Sequence, residues 1–175
     1  GLARRIDQQL DVWIKVDSGS GRTGIDWRAG ERALELWKAV SACSHLTPRG
    51  LLTHAGYTYS AHTVDEICRR YQEANQRMLA LKEQVEAAQS LPVEVSAGDT
   101  PGCSLCAELG PVDEIRPGNF VFYDAQMLRL GACHIEQVAA VVVCPLVALH
   151  PEREEALVYG GAVHLSKDYL VENGL

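Results

Sequence analysis

The sequence has no apolar run near the ~20 residues that a membrane span requires. Its longest apolar stretch, Val138 to Leu149, is interrupted by Pro145. The opening residues "GLARRIDQQL" contain no signal-peptide core and no starting Met, as expected of a cut piece or a processed chain. Basic residues are in deficit: 16 Lys and Arg stand against 23 Asp and Glu, for a net charge of −7. That balance argues against nucleic acid, whose partners present a basic face. No GxxxxGK[ST] phosphate loop is present, so a bound phosphate is not expected to belong to a nucleotide. The six histidines show neither HxxxH nor HExxH spacing, which argues against a zinc site within this chain. One CxxC, Cys103 to Cys106, has no second pair at similar spacing and reads as two incidental loop cysteines. With no secretory signal, all six cysteines are expected to be reduced thiols in a cytoplasm. Lysine is scarce: Lys15, Lys38, Lys82 and Lys167 are the only ones.

What is present has a repeating order. "DVWIKVD" (11–17) reads as a short buried strand and runs into the polar turn "SGSGRTG". "AGERALELWKAVSAC" (29–43) places Leu34, Trp37 and Val40 at helical spacing. "RGLLTHAG" (49–56) reads as a second strand, again ending in a polar loop, "THAGYTYS". Thr63 and Glu66 form a capping-box pattern before a 3–4 spacing of Val64, Ile67, Tyr71, Ala74, Met78, Leu81 and Val85. A long amphipathic helix to about Ser90 follows from it. "LPVEVSAGDTP" (91–101) is a third strand with a polar end, and "EIRPGNFVFYD" (114–124) is strand-like around a Pro-Gly-Asn turn. Strand–helix units with short loops imply a parallel sheet covered by helices. In such sheets, and in βα barrels above all, chemistry gathers at the C-terminal strand ends. After Gly131 the helical period is lost. Two valine-rich segments joined by "HPEREE" predict antiparallel β structure at the start of a second domain.

The strand-end loops carry groups suited to an anion. "SAGDTP" offers Gly98 for close backbone approach and the Thr100 hydroxyl. "RPGNF" offers Gly118 and Asn119, whose N–H groups could form a nest. "DSGSGRTG" contributes Ser18, Thr23 and Arg22. His54 stands at a strand end beside Tyr57 and Tyr59. Each loop alone fits an ordinary turn; their placement at consecutive strand ends draws attention. Lys15, between Ile14 and Val16, reads as a site residue or an ion-paired strut, because an unpaired buried ammonium is costly.

The ordered motifs "WIKVDSGSGRTGI", "LLTHAGYTYS", "VSAGDTP", "EIRPGNFVFYD" and "GGAVHLSKD" resemble the D-threonine aldolase and D-serine dehydratase family, relatives of the alanine racemase barrel. The resemblance implies an α/β chain: residues 1–130 would be the C-terminal portion of a (β/α)8 barrel that binds pyridoxal phosphate, and 131–175 the beginning of an antiparallel β domain. It implies a lyase of 3-hydroxy-D-amino acids, with a D-amino acid as its small-molecule partner. The parent would be a homodimer carrying a divalent zinc or manganese ion. Arg22 would approach the cofactor's phenolic oxygen, and Lys15 would orient Arg22. His54 and Tyr59 would line the cofactor's face and phosphate, with Arg22 and His54 as the catalytic candidates. Gly98, Thr100, Gly118 and Asn119 would cradle the phosphate, and Arg116 would lie near the pyridine nitrogen. The lysine that carries the cofactor and the metal ligands would lie outside this chain, so the piece alone would be inactive. A racemase of the same barrel type, a non-catalytic pyridoxal-phosphate carrier and a phosphate-binding α/β module without pyridoxal are the alternatives.

Overall fold

The computed structural model describes residues 7–161, 163–165 and 170. Lys167 and most of the "GGAVHLSKD" motif's end lie outside these. Strand β1 (Leu10–Asp17) is followed by the short β2 (Ile25–Asp26), α1 (Gly30–Ser41) and β3 (Leu46–Leu52). A 3-10 turn at Gly56–Ser60 leads to α2 (Val64–Gln89), β4 (Glu94–Ala97), α3 (Thr100–Leu105), β5 (Glu114–Ile115) and α4 (Ala125–Arg129). A separate hairpin follows, β6 (Leu146–His150) with β7 (Glu155–Val158).

The first five strands form one parallel sheet in the order β2-β1-β3-β4-β5. Strands β1, β3, β4 and β5 are neighbours in the order in which they occur, as consecutive elements commonly are. The expected α/β class and parallel sheet are therefore observed, and the valine-rich end forms the expected antiparallel pair. Several expectations need correction. The second strand starts at Leu46 and takes Pro48 into its pairing with Val12, beside a bulge at Val12/Trp13. A short helix, α3, follows the third strand as well as the first two. "EIRPGNFVFYD" contributes only two strand residues, because the chain turns away once Glu114 and Ile115 have paired with Ser96 and Ala97.

Helix α2 forms for the reasons its spacing gives. Ile67, Tyr71, Ala74, Met78, Leu81 and Val85 are fully buried along one stripe. The Thr63 hydroxyl accepts from the Glu66 N–H. The Glu66 carboxylate reaches one residue further back than a capping box requires, to the His62 N–H at 3.0 Å. The helix ends at Ser90, which takes the left-handed conformation at φ 58°. Its stripe covers the sheet through Ile14 and Val16 of β1, Leu51 of β3 and Val95 of β4, with Trp37 of α1 alongside. Each such side chain contributes roughly 1.5–3 kcal/mol by leaving water. A second apolar cluster joins Ile67 and Tyr71 of α2 to Met127 and Leu130 around α4.

The cysteines depart from expectation. Cys68 of α2 and Cys106, which caps the end of α3, form a disulfide with Cα atoms 5.3 Å apart. Cys43, Cys103, Cys133 and Cys144 are free. The CxxC pair is thus split between one free thiol on a helix and one bonded sulfur. The bond ties α2 to the short helix that begins at Thr100. Alkylation without reductant should label four cysteines, and reduction should expose two more. Removing the bond with Cys68→Ser should lower unfolding stability by about 2–4 kcal/mol. Six labelled cysteines before reduction would contradict the pairing.

Candidate functional site

The first loop is held by the acid that ends β1. Asp17 Oδ1 accepts from the N–H groups of Gly19 (2.9 Å), Ser20 (2.7 Å) and Gly21 (3.2 Å). Burial alone would raise this carboxyl; the N–H groups of Gly19, Gly21, Ser20 and Arg22 outweigh it and hold Asp17 below the usual range. The glycines and serines let the chain curl this tightly around one oxygen. Thr53, just past β3, places its hydroxyl 2.9 Å from both Val16 O and Ser18 Oγ. Ser20 Oγ donates to His54 O at 2.8 Å, which fixes the first loop to the second.

The second and third loops are joined the same way. His54 Nδ1 lies 3.1 Å from Gly98 O. The Tyr59 hydroxyl accepts from Thr100 N at 3.3 Å. Gly98 has φ +148°, and a Cβ there would sit 2.7 Å from Arg116 N, so close strand approach itself demands glycine. Asp99 is fully buried and caps α3. Its Oδ1 accepts from Thr58 Oγ1 (2.6 Å) and Gly102 N (2.7 Å), while Oδ2 is buried without a partner. Burial pushes the Asp99 carboxyl up, against the opposing hydrogen bonds of Thr58 and Gly102.

From the fourth loop, Arg116 folds back over the strand ends. It donates to Ser96 Oγ (2.6 Å), Thr53 O (2.8 Å) and Ser96 O (3.2 Å), and it pairs with Glu114 at 3.3 Å. Burial lowers its affinity for its proton. Asn119 is committed twice: its N–H goes to Thr100 Oγ1 at 2.9 Å and its side chain to Asp124 at 2.7 Å.

A cavity of about 760 Å³ opens between these loops, lined by Arg22, His54, Tyr57, Tyr59, Gly118 and Asn119 among others. Five residues singled out from the sequence thus meet at one wall: Arg22, His54, Tyr59, Gly118 and Asn119. Gly98, Thr100 and Arg116 are not part of the lining. They stand behind it, bonded to His54, to Asn119 and Tyr59, and to the strand ends respectively. Lys15 has no ion pair among the described residues. Its ammonium is lowered first by burial, then by the charges of Arg116 and Arg22, with Asp17 opposing. Lys15 thus feels the positive charges of both Arg116 and Arg22. Among the described residues, no cluster of His, Cys, Asp and Glu could hold a metal ion. No helix among them is long and apolar enough to cross a membrane.

Residues 1–126 match the family described as alanine racemase, N-terminal domain. The chain belongs to this family. The family implies pyridoxal phosphate as cofactor. The D-serine dehydratase of Dictyostelium discoideum is 31% identical over 175 residues, a match covering 92% of this chain and 42% of that protein. The D-threo-3-hydroxyaspartate dehydratase of Delftia sp. HT23 is 29% identical over 171 residues. Its solved structure superposes with a TM-score of 0.81 at 27% identity, covering 95% of this chain and 44% of that one. D-threonine aldolase from Filomicrobium marinum, at 22% identity and TM-score 0.72, shares the fold. The D-serine and D-threo-3-hydroxyaspartate dehydratases are relatives of which the chain spans under half the length.

Sequence reasoning missed Asp17, Thr53 and Asp99 as organisers. Asp99 was detectable as an acid immediately before Thr-Pro, the pattern of an N-cap. A carboxyl raised by folding binds its proton more tightly in the native state. Its contribution is then fully present below the unfolded value of about 3.9 and is lost as pH rises through the folded value. Asp99→Asn, which keeps the Oδ1 acceptor, should therefore gain stability relative to the parent as pH rises from about 4 towards 7. Urea unfolding at several pH values measures this; a difference that stays constant with pH would contradict it.

Proposed function

We propose that the whole protein is a pyridoxal-phosphate-dependent lyase acting on 3-hydroxy-D-amino acids, of the D-serine dehydratase or D-threonine aldolase type. In this reading residues 1–130 supply one wall of the cofactor site within a barrel. Residues 131–175 begin a β domain, and the working unit is a homodimer. The observation that carries it is the convergence of Arg22, His54, Tyr59, Gly118 and Asn119 on one cavity, inside a family match of 126 residues.

The cavity fits a phosphorylated aromatic aldehyde. Its volume lies within the several hundred Å³ usual for small-molecule sites. A phosphate needs converging donors. The Thr100 hydroxyl accepts from Asn119 and keeps its own proton to donate; the Tyr59 hydroxyl accepts from Thr100 and does likewise. Tyr59 and the Gly118 N–H would hold the phosphate at the lining, with Thr100 and Asn119 setting their geometry. When bound, pyridoxal phosphate supplies the electron sink that lets a bond at the substrate's Cα break.

The chain's own residues do the rest. Arg22 stands at the wall as the cation for the phenolic oxygen. His54 Nδ1 faces a carbonyl, which can only accept; Nδ1 therefore carries the proton and Nε2 is left to accept one. Arg116 brings a fixed positive charge to the strand ends, which would disfavour protonation of a pyridine nitrogen beside it. Lys15, whose hold on its proton is weakened by burial and by the charges of Arg116 and Arg22, would add a basic group behind the strand ends. The described residues do not fit the zinc or manganese ion of the parent, so no step is assigned to a metal.

Pyridoxal phosphate added to the full-length protein should produce a red-shifted visible band. D-threonine should then yield glycine and acetaldehyde, or D-serine pyruvate and ammonia, and a chelator should slow the reaction. Formation of the L-enantiomer alone, indifferent to chelator, would replace the lyase by a racemase. Absence of the band would remove the cofactor.

A further inference from the structure

Arg77 sits in the middle of α2, outside the cavity, yet its guanidinium reaches the loop that carries Arg22. Nη1 donates to Ser18 O at 2.6 Å, across 59 residues of sequence. The same group lies 5.2 Å from the centre of the Trp27 ring, just beyond the other end of that loop. Glu73, one turn earlier, steadies it at 3.7 Å. Between the two attachments stands Gly19, at φ +127°. A Cβ there would lie 2.8 Å from Arg77 Nη1 and 3.8 Å from the ring of Tyr57, which lines the cavity. The guanidinium thus fills the space that the glycine leaves open, wedged against the loop on the side of the Tyr57 turn. A carbonyl at Ser18, which is itself fully buried, has its direction set by that donor. The next three N–H groups then close on Asp17, and Arg22 follows.

We propose that Arg77 is a positioning residue for the cofactor site: from α2 it sets the path of residues 18–22 and so where Arg22 presents its charge. This rests on the cofactor reading above, but its structural half stands apart from it. Arg77 is not among the residues that line the cavity. A lysine can keep a charge over Trp27 but cannot also offer the fork's second donor.

The test uses the full-length protein with Arg77→Met, which keeps the apolar stem, and Arg77→Lys. Amide hydrogen exchange without cofactor should quicken at Gly19, Ser20 and Gly21 by about tenfold in Arg77→Met, the size expected for one lost charge-assisted hydrogen bond. Arg77→Lys should restore part of the protection. Affinity for added pyridoxal phosphate should fall in the same order, with exchange in β3 and β4 unchanged. Wild-type exchange at the loop in Arg77→Met would overturn the proposal. So would faster exchange spread evenly over the sheet, or a loosened loop with undiminished cofactor affinity. A wild-type protein that binds no pyridoxal phosphate overturns the cofactor reading and the positioning role with it; the exchange result then separately decides whether Arg77 sets the loop.

Discussion

Parallel pairing of β1, β3, β4 and β5 sends four chains out of the sheet at the same edge, and every feature of the site depends on that shared direction. Parallel strands must be joined by crossovers, so α1 and α2 are spent on covering the sheet, and their apolar faces give the strands a rigid base. The loops at the other side of each strand are then free of structural duty except to stay where the strands leave them. Arg22, Thr53, Gly98 and Arg116 come from four separate strand ends, which the parallel register brings to one side of the sheet.

Polar loops packed this closely need a full set of partners, and the sequence provides them locally. Asp17 satisfies three N–H groups of its own loop, Thr53 bridges β1 to the loop after it, and Asp99 caps α3 while receiving Thr58. Arg116 returns to two backbone carbonyls. The commitments are unequal. Asn119 and Arg116 are engaged inward, whereas Arg22 and Tyr59 face the cavity. That division separates residues that build the wall from those that can meet a ligand.

Much of the architecture could be read from residue spacing. Ile67, Tyr71, Ala74 and Met78 dictate α2, and "DVWIKVD" marks a strand at β1, although only Ile14 and Val16 of it are fully buried. The polar loops announced the sheet's working edge. Other features depend on groups distant in the chain. Cys68 and Cys106 meet only because α2 packs on α3, and the rule that thiols stay reduced without a secretory signal pointed the wrong way. Arg77 lies on what periodicity marks as the polar face of α2, so nothing local distinguishes it from a solvated arginine. The strand at "EIRPGNFVFYD" was overread because its apolar content, Phe120 to Phe122, remains exposed instead of pairing. The resemblance puts Gly98 and Thr100 in the phosphate cradle, and only tertiary contacts reveal that they stand one layer behind the cavity lining.

In the proposed function a phosphate and an aromatic oxygen find Tyr59, Gly118 and Arg22 on one surface before any substrate arrives. A crystal structure of the full-length protein with pyridoxal phosphate decides it most directly. The phosphate oxygens should lie within hydrogen-bonding distance of the Gly118 N–H and the Tyr59 hydroxyl, with the ring's phenolic oxygen towards Arg22. A cofactor held elsewhere on the protein, or one whose phosphate points away from Gly118 and Tyr59, would contradict it.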